Sequence, residues 1–570
     1  MGNLQSSLHS LNSAHSSTLC ACLLCNLTAR SIHWTVSSGS EKAIDDPSYD
    51  TLPVLSGHAS VSSTATQVAY TQFLRTYPEY RDTAALDTLR KQDFTRLGNT
   101  KETYVDYMGG HLYPESLVRA HAEFLAQHVM GNTHSVSNSS AISAAHAAEA
   151  RREVLAFFDA PPGYAVIFTP NATGALKLIG ESYPFGQGST YLLPGDCHNS
   201  VNGIRQFASS SGADVAYLCC QAHGGIDLEE AQRETLSGTD IISDSSKRML
   251  SERAPQKGNP SLFVITGMSN ISNTKTPLSI AEQAGARGWH TLVDAAALAP
   301  TAHISLRENP AVDAMVVSFY KMFGYPTGIG ALIAKESFLR QLKRPWFAGG
   351  TVDVVQVPGT LVTMSLELYE QFEDGTINYL GLPAITNGLR YLAPKLPLIQ
   401  TRVGPLFAWL STELQKLKHE TTGAPVVKIL SRQPSSVPEG KDRWQVMNKE
   451  IGYTLSMIFF DAEGNMFPNS FIEHAAAQKR ISLRTGCVCN PGGAAAILGI
   501  EHNMALLKLG VTYKDFEYWV GRELGVVRVS LGMVTDFEDV WRVWAFARDM
   551  GISERREVLW DAWRESKPAH

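Results

Sequence analysis

Ser318-Phe319-Tyr320-Lys321-Met322-Phe323-Gly324 follows an apolar run that starts at Met315 and puts a lysine at the end of a buried strand, against a glycine-rich turn. A lysine there loses hydration unless its amine has a partner or chemistry to do. It is placed to form a Schiff base with an aldehyde cofactor. Working outward, residues 165–169, 190–193, 215–218, 262–266, 291–293 and 315–319 are short, nearly continuous runs rich in Val, Ile and Leu. Strands buried on both faces have this texture. Between them the pattern predicts helices over 141–158, 173–181, 200–208 and 279–288, the first with Ala147, Val154, Leu155 and Phe158 on one face. Strands alternating with helices predict an α/β fold with a mostly parallel sheet. The runs 315–319 and 330–334 are too close for a crossover helix, so that pair is expected to be antiparallel.

After about residue 383 the texture changes. Helices are expected over 384–393 and 405–418, strands over 426–430, 454–460 and 527–530, and a closing helix over 536–549. The reading therefore divides the chain into a leader (1–65), a large cofactor-binding domain (66–382) and a smaller α+β domain (383–570). Polar stretches 236–259 and 431–443 read as surface insertions.

With 570 residues, 44% apolar and 18% charged, the composition is that of a globular protein with room for two lobes. A net charge of −6 without a strongly basic run argues against nucleic acid as a partner. Eight cysteines in so long a chain are no disulfide framework, which points to a reducing compartment, and a cytoplasmic location is expected. Residues 1–65 are rich in Ser, Thr, His and Asn and read as disordered. Met1-Gly2-Asn3-Leu4-Gln5-Ser6 fits a myristoylation pattern, with Cys20, Cys22 and Cys25 as palmitate acceptors. Membrane contact is expected only if that leader is lipidated.

Ligands of open α/β sheets gather at the carboxyl ends of the strands, and the rule collects a coherent set here. Asp294 closes a strand and can pair with a protonated pyridine nitrogen, although a lone strand-end Asp is also a common helix cap. Asn171-Ala172-Thr173-Gly174 opens a helix after a strand, an anion site suited to a phosphate. His198, just past strand 190–193, can stack on a flat ring. In Arg484-Thr485-Gly486-Cys487-Val488-Cys489-Asn490-Pro491, a Gly/Pro-rich loop beside an arginine favours a mobile, exposed thiolate. Cys487 and Cys489 lack further Cys or His for a metal set, so no metal is expected. Lysine, acid, imidazole and thiol together point to a pyridoxal-phosphate (PLP) enzyme that abstracts sulfur.

On these residues, with Val293-Asp294-Ala295-Ala296-Ala297 and Phe372-Glu373-Asp374-Gly375-Thr376, the chain resembles the class V aminotransferases of PLP fold type I. It is most similar to the N-terminal desulfurase part of molybdenum cofactor sulfurases. The resemblance implies that Lys321 holds PLP, Asp294 pairs its ring nitrogen and His198 stacks on the ring. It gives the phosphate to Ala172, Thr173, Ser318 and Tyr320, with Thr376 reaching across from the other subunit of a homodimer. It implies that Arg528 clamps the carboxylate of L-cysteine and that Cys489 takes the sulfur as a persulfide, for an acceptor the sequence does not name. Two departures stand out: Ala297 where desulfurases commonly carry Gln, and Tyr320 where they carry His. The C-terminal domain of full-length sulfurases has no counterpart in these residues. Two other readings stay open: a PLP-dependent C–S or C–Se lyase that does not need Cys489, and an inactive PLP-fold partner in sulfur relay.

Overall fold

The computed structural model describes residues 63–226, 255, 258–434 and 443–567. The lipidation signals and most of both polar stretches lie outside these residues. Residues 63–65 begin the helix Ser63–Thr76.

Seven strands form the large sheet: β1 (Tyr164–Thr169), β2 (Thr190–Pro194), β3 (Asp214–Leu218), β4 (Leu262–Thr266), β5 (His290–Asp294), β6 (Ala314–Ser318) and β7 (Gly330–Lys335). Their spatial order is β1-β7-β6-β5-β4-β2-β3. β7 runs antiparallel to both β1 and β6, while all other neighbours are parallel. The expected antiparallel pair is thus present. The continuous apolar runs have a direct cause: in β6, Met315 and Val317 enter one core while Ala314 and Val316 enter another. Helix α1 (Asn138–Phe157) covers the first face through Ala147, Ala150 and Val154. Helices α2 (Ala172–Ser182) and α3 (Asn199–Ser210) cover the second through Leu176, Ile179, Val201 and Ile204. Each fully buried aliphatic side chain contributes roughly 1.5–3 kcal/mol, so a sheet packed on both faces holds its strand ends rigidly.

β6 gives way at once to the one-turn helix α4 (Phe319–Phe323). Lys321 therefore sits inside a helical turn rather than at a strand tip. Helix α5 (Leu396–Gln415) also departs from expectation, because it runs through Pro405 instead of starting there. The burial of Leu396, Ile399 and Val403 ahead of it outweighs the backbone bond that proline removes.

A second, antiparallel sheet contains β8 (Val427–Ile429), β9 (Thr454–Phe459), β10 (Arg484–Gly486) and β11 (Val526–Ser530), in the order β8-β9-β11-β10. After β10 come the cysteine loop and helix α6 (Pro491–Leu498), and helix α7 (Phe537–Met550) follows β11. Arg90, from the first described helices, bonds Asp539 of α7 at 2.6 Å and so ties the two ends of the described chain together. Among the described residues, no helix is long and apolar enough to cross a membrane.

Candidate active site

The carboxyl ends of β1, β2, β4, β5 and β6 meet around a cavity of about 110 Å³ lined by residues that include Thr173, His198, Asp294, Tyr320 and Lys321. The spatial order of the strands reverses between β2 and β4, where a doubly wound sheet opens its crevice. At the end of β1, Asn171 caps α2, its Oδ1 accepting the Gly174 N–H at 3.0 Å. Ser318, the last residue of β6, accepts the Ala172 N–H on its Oγ at 2.9 Å. The Thr173 and Ser200 hydroxyls lie 2.8 Å apart and join the first turns of α2 and α3. Asp294 ends β5, buried, with its Oδ1 accepting the Ala296 N–H at 3.1 Å. It caps no helix. Thr266, at the end of β4, lines the same cavity with a buried hydroxyl that has no partner among the described residues.

His198 is the N-cap of α3, its Nδ1 accepting the Ser200 N–H at 3.1 Å. That bond leaves the ring proton on Nε2. Burial holds the imidazole below its usual range, against the pull of Asp294, and Lys321 and Arg484 add to the effect. Lys321 behaves alike: burial pushes its ammonium below the ordinary lysine range, Asp294 opposes this, and Arg528 and Arg484 reinforce it. Gly324 ends α4 at φ +83°, and a side chain there would collide with the backbone of residues 111–113. Only glycine allows the turn that aims Lys321 at the cavity. Burial likewise lifts the Tyr320 phenol, partly offset by Arg484.

The sulfur-bearing loop stands beside this cavity. Cys489 is partly exposed, and Val488 and Cys489 both adopt left-handed backbone at φ +47° and +59°. Such a pair is strained, above all at β-branched Val488, and persists only where the surroundings impose it. The surroundings are visible: the Asn270 Nδ2–H donates to the Val488 carbonyl at 2.7 Å, and the Asn199 N–H of α3 donates to the Cys489 carbonyl at 2.7 Å. The glycine- and proline-rich sequence suggested a mobile loop, whereas these contacts hold it. Cys487 has its Sγ 3.7 Å from the Tyr513 hydroxyl.

Arg528 lies in β11 with a side chain only 1% exposed. It donates to Asp106 at 2.6 Å and to the Asn270 carbonyl at 3.1 Å, and its Nε has no partner among the described residues. Burial pulls the guanidinium below its usual range and Asp106 pulls it back up. Thr376 is not brought into the cavity. It is exposed and accepts a hydrogen bond from Asn132 at 3.1 Å. Sequence reasoning missed Asp106, Asp196, Asn270 and Asn490. Only Asn490 left a signal, since Asn followed by Pro is the usual start of a helix.

The sequence model of the class-V aminotransferases matches residues 103–246 and 252–433, more than half of the chain. The chain belongs to the class-V aminotransferase family. That membership implies pyridoxal phosphate as the cofactor. Among its relatives, the molybdenum cofactor sulfurase of Arabidopsis thaliana is 32% identical over 483 residues, covering 80% of this chain and 56% of that protein. The Bos taurus molybdenum cofactor sulfurase is 31% identical over 476 residues, covering 80% and 50%. The chain thus spans about half the length of these relatives. Among solved structures, a cysteine desulfurase from Thermococcus onnurineus NA1 superposes with a TM-score of 0.62 at 20% identity, covering 81% of this chain and 97% of that one. The cysteine desulfurase CsdA of Escherichia coli gives 0.59 at 18%, covering 83% and 98%. At those identities the likeness concerns the fold, which is the PLP fold type I.

Proposed function

We propose that the chain is a PLP-dependent cysteine desulfurase that takes sulfur from L-cysteine onto Cys489 and releases L-alanine. The observation that carries this reading is the direct bond between the two halves of the site, Asn199 N–H to Cys489 carbonyl. It ties the thiol-bearing loop to the residue next to His198. The cavity fits the cofactor: a lysine with weakened hold on its proton, a buried acid, a helix amino-terminal turn for phosphate, and a buried Thr266 hydroxyl in want of a partner. Lys321 would hold it covalently, Asp294 its ring nitrogen, His198 its face, and Ala172, Thr173, Ser318 and Tyr320 its phosphate. When bound, PLP supplies an electron sink for the substrate carbon.

The residues then divide the work. Arg528 grips the substrate carboxylate and fixes its distance from Cys489. The Cys489 thiolate attacks the substrate sulfur. An S–S bond forms as the C–S bond breaks, and the electron pair stays on carbon, which takes a proton delivered from Lys321 Nζ. Alanine leaves and the persulfide remains for an acceptor thiol. A second copy of the chain completes the site through Thr376. This is supported by the exposed apolar side chains of the hairpin Val352–Val355 and Val362–Met364 and its surroundings: Val354, Val355, Leu361, Trp346 and Phe347.

The test is turnover of L-cysteine by the purified, PLP-loaded protein, with alanine and sulfide quantified beside sedimentation. One alanine per sulfur from a homodimer is expected. Pyruvate and ammonia in place of alanine would make it a lyase, and absence of both activity and PLP binding would leave an inactive fold.

A further inference from the structure

Asp196 lies in the loop after β2, two residues before His198, and is 1% exposed. Its carboxylate accepts four donors from three other loops. Oδ1 takes the Ser269 hydroxyl at 2.7 Å and the Asn490 Nδ2–H at 2.6 Å, and Oδ2 takes the Gly225 N–H at 2.7 Å and the Ser272 hydroxyl at 2.6 Å. Asn490, fully buried, follows Cys489 directly. It uses its whole amide: Nδ2 also donates to Asn270 Oδ1 at 3.0 Å, and Oδ1 accepts the Gly493 N–H at 3.0 Å to cap α6. Asn270 in turn holds the Val488 carbonyl and lines the cofactor cavity. Gly492 packs on the Gly195 carbonyl so closely that any side chain there would collide with it.

We infer that Asp196 is a positioning residue for Cys489. Through Asn490 it is the anchor of a buried clamp that holds Val488 and Cys489 in their strained backbone and so sets where the thiol stands. Two consecutive left-handed residues would relax if their neighbours let go, and two of the neighbours that hold them, Asn490 and Asn270, lead to Asp196 directly or through one asparagine. The thiol of this protein is therefore delivered by a fixed loop rather than a swinging one, and an acceptor must come to it. The inference rests on Cys489 as the sulfur-taking thiol.

Asn490→Asp tests it. The change keeps shape and keeps a good helix cap, but it turns the donor facing Asp196 into an acceptor and forces the clamp open. The reciprocal pair Asp196→Asn with Asn490→Asp restores an N–H between the same two positions, and the serine hydroxyls can rotate to match, while the bond from position 490 to Asn270 Oδ1 stays lost. Ser272→Ala removes a bond to Asp196 without touching the cysteine loop. Two readouts need no turnover. One is hydrogen exchange in peptides carrying Asn199 and Asn490. The other is alkylation of Cys489 by iodoacetamide, measured against exposed Cys219 by mass spectrometry. In Asn490→Asp both rates should rise at least about tenfold, while PLP absorbance is retained. The kcat for alanine should fall at least about tenfold with KM for cysteine little changed. The double variant should recover at least about threefold of each loss, short of wild type because the bond to Asn270 stays broken, and Ser272→Ala should stay near wild type. Unchanged exchange and alkylation in Asn490→Asp, a double variant no better than the single, or a Ser272→Ala loss as large would each overturn the inference. Should Asn490→Asp fail to fold, Asn490→Ala is read in the same two assays against Ser272→Ala. Wild-type alanine production by Cys489→Ser would instead sink the desulfurase reading while leaving the exchange result intact.

Discussion

Asp106→Asn probes the charge beside the substrate arginine. The substitution keeps the shape of Asp106 and an acceptor for the 2.6 Å bond from Arg528, but removes the negative charge. Two unit charges about 4 Å apart attract by about 4 kcal/mol at an effective dielectric near 20. Asp106 is 20% exposed while Arg528 is 1% exposed, so water screens part of this from one side. A net loss of about 2–3 kcal/mol in the cofactor-free protein is expected, below the usual cost of stripping a fully buried pair. Arg528→Met, which leaves the Asp106 carboxylate able to turn toward solvent, should cost less. In Asp106→Asn with Arg528→Met neither charge of the pair remains, and most of the loss should be regained. Urea-unfolding midpoints of the four proteins, compared at a common slope, give the coupling energy directly. Asp106→Asn within about 0.5 kcal/mol of wild type, or strictly additive effects, would refute the idea that Asp106 compensates a buried guanidinium.

Other outcomes follow from the same geometry. Cys489→Ser should lose at least about a hundredfold in alanine formation, whereas Cys487→Ser, whose thiol faces Tyr513, should stay within about threefold. Lys321→Met should stabilise the cofactor-free protein at neutral pH. Its folded pKa lies below the unfolded one, so the cost is fully present at low pH, and wild type should catch up as pH climbs toward about 10.4. Burial pulls the His111 pKa down to about 4 from the usual 6.5. The unfolded chain then takes up a proton that the folded chain refuses, so stability should fall by up to about 3 kcal/mol as pH drops through that window. His111→Asn should flatten that slope in thermal melts.

How much of this was legible in the sequence depends on the kind of interaction. The strands were readable because burial on both faces leaves no polar interruption, as in Met315–Val316–Val317, and because a short connection forced β7 to run antiparallel. Lys321, Asp294, His198 and Thr173 were readable because strand ends concentrate ligands, and all four line one cavity. The one-turn helix around Lys321 was not, since five residues are too few to show a period. The hubs at Asp106 and Asp196 were invisible for another reason. Asp196 and Asn490 are 294 positions apart, and Asp106 and Arg528 are 422 apart. Polar residues in loops carry no pattern that says which distant loop will supply the partner. The pinned backbone of Cys489 was hidden in the same way: its Gly/Pro surroundings read as freedom, and the restraint comes from residues around 199 and 270.

The most direct test of the sulfur step is mass spectrometry of the PLP-loaded protein after a single turnover with L-cysteine, under conditions that preserve persulfides. A gain of one sulfur atom on the peptide carrying Cys489, equal in amount to the alanine released and absent from Cys489→Ser, is the expected result. Alanine released with no added sulfur on that peptide, or the sulfur found on Cys487 instead, would contradict Cys489 as the thiol that takes it.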